Sequence, residues 1–164
     1  MKKSLITAHF WTEQQLGTAE KATSFLSLIK KLDGGKWVPD KWGQFEPIKD
    51  VFVQDNEARL VREWTEERHG RISNSILFTK RKPSLFMDVT CWRGRVPDLN
   101  YLWFDMDASE FVGAEGIDRL TRTITQFISW SGAVYATAFA CDDYPEVACR
   151  VPKFDLRQTI NSTA

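Results

Sequence analysis

The chain has 164 residues, which is enough to bury a sizeable core, and we expect residues 1–164 to form one domain. Its 43% hydrophobic and 27% charged residues are ordinary for a soluble globular protein. Its 22 basic and 22 acidic residues cancel, and no apolar run approaches the length of a membrane span. These features argue against a membrane-spanning helix.

The zero net charge conceals an uneven distribution along the chain. Residues 1–97 carry 17 basic and 12 acidic side chains, whereas residues 98–149 carry 2 basic and 9 acidic ones. The last segment, residues 150–164, has 3 basic and 1 acidic. A local acidic field attracts cationic partners, although a merely solvated acidic face is the simpler alternative.

Cysteine usage and the N-terminus indicate the cellular compartment. Three cysteines without a CxxC spacing, Cys91, Cys141 and Cys149, argue against a disulfide scaffold and a structural zinc site. The first residues are basic but lack the apolar segment of a signal peptide. We expect a cytoplasmic protein with reduced thiols.

The first elements are a strand and an amphipathic helix. Residues 4–11 alternate loosely between apolar and polar and predict the strand. Thr18 is a suitable N-cap for the helix, which Gly34 and Gly35 end. The apolar face of this helix recurs at helical spacing: Ala22, Phe25, Leu26, Ile29 and Leu32.

Residues 36–53 are irregular, and a second helix follows them. Pro39 and Pro47 exclude a regular helix there, so we expect a loop over the core that buries Trp37, Trp42, Phe45 and Phe52. The second helix is expected from Asp55 or Asn56 to about Arg68, with Leu60, Val61 and Trp64 facing inward.

Three consecutive strands are predicted within residues 72–107. They cover residues 76–79, 85–92 and 99–106, and the short polar connections between them favour an antiparallel meander. Leu85, Met87, Val89 and Cys91 share one face of the second strand.

The remaining elements are a third helix and a last strand. The helix is expected over residues 115–130, ended by Gly132, with one apolar stripe of Ile117, Leu120, Ile124, Phe127 and Ile128. Residues 133–141 are rich in alanine, which suggests a strand packed closely against a neighbour, and residues 150–164 are expected to fray. The order of elements predicts an α+β fold, with one mostly antiparallel sheet and helices on one face.

Signatures of enzyme chemistry are absent from the sequence. The two histidines, His9 and His69, share no metal-binding spacing, and structural roles are expected for both. There is no GxSxG motif, and Gly34-Gly35 follows a helix where a phosphate loop would precede one. We therefore predict no enzymatic activity and no cofactor.

Carboxylates are the candidates for a functional site. Asp105 and Asp107 end the third strand of the meander and project to one face. If Asp142 converges on them, the group could bind Mg²⁺ or Ca²⁺, and the alternative function is a small carboxylate- and divalent-metal-dependent enzyme. Solvated strand ends and an acidic binding surface are the other interpretations.

Nucleic-acid binding is not expected. Basic residues do cluster at the two turns of the meander, at residues 80–82 and at Arg93 and Arg95. Consecutive turns of a meander lie at opposite ends of the sheet, so this cluster is divided between them. Lysines at such positions also protect sheet edges from aggregation.

The aromatic and turn residues of the central region resemble a known family. The residues that carry the likeness are the Trp42–Pro47 loop, a helix ending near Trp64, a basic turn with Pro83, and the segments Cys91–Gly94 and Leu99–Phe104. Over residues 37–107 the chain resembles bacterial immunity proteins of polymorphic-toxin and contact-dependent secretion systems. The resemblance implies a small cytoplasmic α+β protein that binds and neutralises a cognate toxin.

Composition and resemblance together favour a protein that acts by binding. Occlusion of the toxin's active site by an acidic surface is the expected mode, with no nucleic acid and no membrane involved. A homodimer that buries the aromatic residues is a further alternative. The expected partner-binding residues are acidic groups and two aromatic anchors: Asp105, Asp107, Glu110, Asp142, Asp143, Glu146, Trp103 and Tyr144.

Overall fold

The computed structural model describes residues 4–66, 73–92 and 100–141. This part of the chain contains seven β-strands and three α-helices. In chain order they are β1 (Leu5–Thr12), α1 (Ala19–Lys31), β2 (Lys41–Gly43), β3 (Asp50–Val51), α2 (Glu57–Thr65), β4 (Ser73–Lys80), β5 (Leu85–Trp92), β6 (Asn100–Asp107), α3 (Gly113–Ser131) and β7 (Tyr135–Cys141). Three short 3₁₀ helices accompany them: Leu32–Gly35, Gln54–Asn56 and Ala108–Phe111.

The strands form one antiparallel sheet in the order β3-β2-β4-β5-β6-β1-β7. The predicted meander is confirmed as β4-β5-β6. The first strand of the chain, β1, lies between β6 and the last strand, β7. The predicted α+β class with a mostly antiparallel sheet is confirmed.

All three α-helices pack on the same face of the sheet. Phe127 of α3 contacts Phe10 of β1, while Phe25 of α1 and Trp64 of α2 both contact Phe78 of β4. The side chains of β5 that were predicted to share a face are all buried in this core: Leu85, Met87, Val89 and Cys91. Burial of these apolar side chains is the main source of stability.

The local signals that bound two helices act as the sequence predicts. The Thr18 hydroxyl accepts a hydrogen bond of 3.1 Å from the amide of Lys21, which caps α1. Gly132 adopts the left-handed conformation, with φ of 62°, and ends α3. The expected apolar face of α1 is buried as well, from Ala22 to Leu32.

The prediction of a loop over residues 36–53 is partly wrong. Two short strands, β2 and β3, lie in this segment and extend the sheet beyond β4. Trp42 is opposite Phe78 and is buried with it, as is Trp37. Phe45, however, is 51% exposed, because it follows β2 in the connection at the edge of the sheet.

Other element boundaries also differ from the prediction. β4 begins at Ser73, three residues before the predicted strand, and α2 ends at Thr65. Arg68 and Leu99, where predicted elements end or begin, lie outside the described residues, as do His69, Arg93, Arg95 and residues 150–164. The prediction of one domain over the whole chain stays a prediction.

The predicted apolar stripe of α3 is only partly correct. Phe127 is fully buried, but Ile117 is 59% exposed and Ile128 is 37% exposed.

Among residues 4–66, 73–92 and 100–141, none of the helices has both the length and the hydropathy that a membrane crossing requires.

Candidate functional site

The face of the sheet opposite the helices carries most of the aromatic side chains that are not in the core. None of the described helices packs on this side, which we call the open face. Successive strand residues alternate between the two faces, and the register aligns the open-face residues in rows. On β5, β6, β1 and β7 these rows are Phe86, Asp105, Thr7 and Phe139; Asp88, Trp103, His9 and Thr137; and Thr90, Tyr101, Trp11 and Tyr135.

His9 lies at the centre of the aromatic part of this face. Its ring stacks with Trp11, Trp103 and Phe139 at centroid distances of 5.6, 6.1 and 5.8 Å. Its Nδ1 forms a hydrogen bond with the hydroxyl of Tyr101. Burial lowers the pKa of His9, so the imidazole is neutral near pH 7. His9 therefore contributes a flat neutral ring to an aromatic cluster.

Two carboxylates are embedded among these rings. Asp105 accepts hydrogen bonds from the Thr7 hydroxyl at 2.6 Å and from the Trp103 indole at 3.3 Å. Asp88 accepts one from the hydroxyl of Thr90 at 3.0 Å. Burial raises the pKa of both aspartates, and the hydrogen bonds only partly oppose this effect.

Neither Asp88 nor Asp105 forms an ion pair with a cation among the described residues. Register places one lysine on this side of the sheet, Lys41, but it lies on β2, two strands away from Asp88. A carboxylate that loses water without gaining a cation destabilises the folded state. Within the described residues, the centre of the open face is thus electronegative, and neither carboxylate is paired with a cation.

The other acidic residues predicted at this end of the sheet have separate partners. Asp107 projects to the same face as Asp105, as expected, and its carboxylate accepts hydrogen bonds from the amide and hydroxyl of Ser109. Glu110 forms an ion pair with Lys36 in the connection after α1. The interpretation of Asp105 and Asp107 as solvated strand ends is wrong, since they are only 7% and 9% exposed.

The predicted site residues are only partly brought together. The structure places Trp103 beside Asp105, and both belong to the open face. Asp142, Asp143, Tyr144 and Glu146 lie outside the described residues. Five further residues belong to this face and were not predicted from the sequence as site residues: His9, Trp11, Tyr101, Phe139 and Asp88. Alternation along β1 and β6 places His9 with Trp11 and Tyr101 with Trp103, but only the pairing of the two strands joins these pairs.

A metal centre and a cleft are the other kinds of site that the surface could offer. Within the described part of the chain, no three side chains of His, Cys, Asp and Glu come together to hold a metal ion. A cleft of about 260 Å³ on the helical side is lined by Asp33, Arg119 and Arg122, among others. It has charges of both signs and includes none of the residues predicted for a site. The open face is therefore the candidate functional site.

Comparison with known proteins does not assign a family. No protein-family model matches the chain, and no curated protein matches it. A solved structure, the adenosylmethionine decarboxylase from Aquifex aeolicus, is similar at a TM-score of 0.40 and 10% sequence identity, over 86% of this chain and 90% of that one. A likeness at this level is too weak to indicate an activity.

Proposed function

We propose that this protein is a cytoplasmic immunity protein, which binds a cognate bacterial toxin and neutralises it without catalysis by occluding the toxin's active site. The observation that carries the proposal is the open face, with its seven half-buried rings beside partly desolvated carboxylates. Large, rigid aromatic side chains on a sheet face that no described helix covers are typical of protein-binding sites.

The charge of the open face favours a basic partner. Asp88 and Asp105 bring negative charge to the middle of the aromatic cluster, and the neutral His9 does not offset it. An arginine or lysine of the toxin would contact both a carboxylate and the face of an indole such as Trp103. Toxins that act on nucleic acid tend to be basic, so this surface would occupy the site that binds their substrate.

The aromatic cluster defines how the complex should respond to mutation. Trp11 and Trp103 are held in place by stacking on His9 and do not need to be ordered on binding. Preorganised aromatic anchors lose little entropy when a partner binds. Truncation of either indole should therefore weaken toxin binding by at least about tenfold, which corresponds to about 1.4 kcal/mol.

The test is co-expression with the toxin encoded beside this gene, followed by affinity purification and growth of the producing cells. We expect a stoichiometric complex and rescue of growth, and we expect Trp103→Ala and Trp11→Ala to weaken both. Phe45→Ala is the matched control, because Phe45 is an exposed aromatic at the other edge of the sheet, after β2. Circular dichroism must show that each variant is folded.

Two results would count against the proposal. Absence of any complex and of any rescue would remove the immunity function. Complex formation that is as sensitive to Phe45→Ala as to the two tryptophan variants would retain the function but reject the open face as the binding surface.

A further inference from the structure

The two edges of the sheet differ in how they are protected against pairing with another strand. At one edge β3 has only two residues, Asp50 and Val51, with a lysine and a proline shortly before it. At the other edge β7 has seven residues, and its sequence YATAFAC contains no charge and no proline. Natural proteins usually block a long edge strand with one of these devices. Within β7 none of them is present.

Beside this edge, α3 presents an apolar flank. Trp130 faces α1, where its ring contacts Phe25 at 4.8 Å and its indole donates a hydrogen bond to Ser24. Ile128 is two residues away, which is about 200° around a helix, so it lies on the opposite flank. Ile117 and Ile124 share this flank by helical spacing, and Ile117 is 59% exposed.

The strand below this flank has small side chains. Register pairs Ala136 with Phe10, Ala138 with Ala8 and Ala140 with Ile6, so the alanines lie on the helical side of the sheet. Phe10 and Ala8 are buried on β1, one strand further in, whereas Ala138 and Ala140 are exposed. The alanines were predicted to pack closely against a helix or a neighbouring strand. The neighbouring strand is β1, and no described helix covers Ala138 or Ala140. The flank of α3 and the alanines of β7 form an apolar groove that the described helices leave uncovered.

From this geometry we propose that two copies of the protein form a homodimer by pairing their β7 strands antiparallel, so that the two sheets become one continuous sheet. A two-fold axis perpendicular to the sheet keeps the open faces of both copies on one side. The two α3 helices meet over the alanines through Ile117, Ile124 and Ile128. In the dimer, the apolar flank of α3 from each copy thus covers part of the groove of the other copy.

The lack of charge on β7 and the spacing between the two α3 helices both allow a second copy of the chain to pair at this edge. β7 is uncharged, so two β7 strands can lie side by side without like-charge repulsion. Between the two β1 strands there are three strand spacings of about 4.8 Å, roughly 14 Å in all. Helices pack at about 8–10 Å, so each α3 needs only a small inclination toward the axis, and the small alanines leave room for it.

The dimer is independent of the proposed toxin binding, because it uses the edge of the sheet and not the open face. Sedimentation equilibrium of the full chain over about a hundredfold range of concentration should show a mass of twice the 18.9 kDa of one chain, decreasing on dilution. Ala138→Glu places two carboxylates near the two-fold axis and should raise the dissociation constant of the dimer at least tenfold. Ala58→Glu is the matched control, since Ala58 is also exposed but lies on α2.

Specific results would overturn the dimer. A mass of 18.9 kDa at every concentration would do so, and protected β7 amides in such a monomer would show that another part of the same chain covers the edge. A dimer that Ala138→Glu and Ala58→Glu affect equally would place the interface elsewhere. Toxin binding by folded Ala138→Glu should equal that of the wild type, so failure of either proposal can be distinguished from failure of the other.

Discussion

The hydrogen bond between Thr7 and Asp105 offers a quantitative test of how the open face is built. Thr7 is 4% exposed and Asp105 is 7% exposed, and the hydroxyl donates to the carboxylate at 2.6 Å. Thr7→Val keeps the shape of the side chain and its strand propensity but removes the donor. A hydrogen bond to a charged group contributes about 1.5–3 kcal/mol, so we expect the free energy of unfolding at neutral pH to decrease by about 2 kcal/mol.

The pH dependence of this loss follows from the pKa of Asp105. Burial raises this pKa, so ionisation of Asp105 in the folded state costs stability as the pH rises through it. The Thr7 hydroxyl stabilises the ionised form, and its removal would raise the pKa of Asp105 further. The difference in stability between wild type and Thr7→Val should therefore be largest at neutral pH and should shrink at acidic pH, where Asp105 is protonated in both.

Urea-induced unfolding, followed by tryptophan fluorescence at neutral and at acidic pH, measures both quantities. Thr7→Ser is the matched control, because it keeps the hydroxyl and loses only a methyl group, so its effect should not depend on pH. If Thr7→Val is as stable as the wild type at neutral pH, or if its loss stays constant with pH, the assignment of a stabilising bond to a charged Asp105 is wrong.

Three further substitutions test other parts of the structure. Asp88→Asn should raise the stability of the free protein at neutral pH, because burial raises the pKa of Asp88 and its ionisation is unfavourable in the fold. Gly116→Ala should destabilise by about 1–3 kcal/mol, since the added Cβ would lie 2.3 Å from the carbonyl carbon of Phe111. Trp64→Phe should lower the free energy of unfolding by about 1–3 kcal/mol, because the indole donates a buried hydrogen bond of 2.9 Å to the Leu16 carbonyl.

Thermal and urea unfolding of each variant measure these effects against the wild type. The Asp88→Asn gain should disappear at acidic pH, where the wild-type carboxyl is also neutral, and a gain that persists there would have another cause. Alanine favours a helix by about 1 kcal/mol over glycine, so a Gly116→Ala variant stabilised by that amount would show that the contact with Phe111 relaxes without cost.

The unusual carboxylates connect the stability of this protein to its proposed function. Ionised Asp88 and Asp105 lack a cationic partner among the described residues, so they destabilise the free protein. In the proposed complex a basic side chain of the toxin would supply that partner. Asp88→Asn should therefore have opposite effects, with higher stability of the free protein and weaker toxin binding at low ionic strength.

Residues whose environment is local were predicted well from the sequence. The helix from Ala19 to Lys31 has its N-cap and its apolar face within one short segment, although its C-cap is Leu32 and the predicted glycines lie in the 3₁₀ turn that follows. The strands of the meander alternate in their side chains, and their connections are short enough to impose antiparallel pairing. In both cases the determining interactions lie between residues close in the chain.

Predictions failed where the environment is decided by distant parts of the chain. β2 and β3 are strands because β2 pairs with β4 of the meander and β3 pairs with β2, and their three and two residues carry too little pattern to indicate it. Ile117 and Ile128 have the spacing of buried residues, yet they are exposed because β1 and not β7 lies beneath α3. Helical periodicity identifies an apolar side but not whether anything covers it.

The open face shows the same division most clearly. By itself the sequence determined that His9 shares a strand face with Trp11, and that Trp103 shares one with Asp105, because side chains on a strand have a period of two. Only the tertiary structure decided that β1 lies beside β6, which joins residues more than 90 positions apart into one aromatic and acidic cluster. The pairing of β1 with β6 joins distant parts of the chain, and it depends on which apolar strand faces the helices cover. That covering is a property of the whole fold.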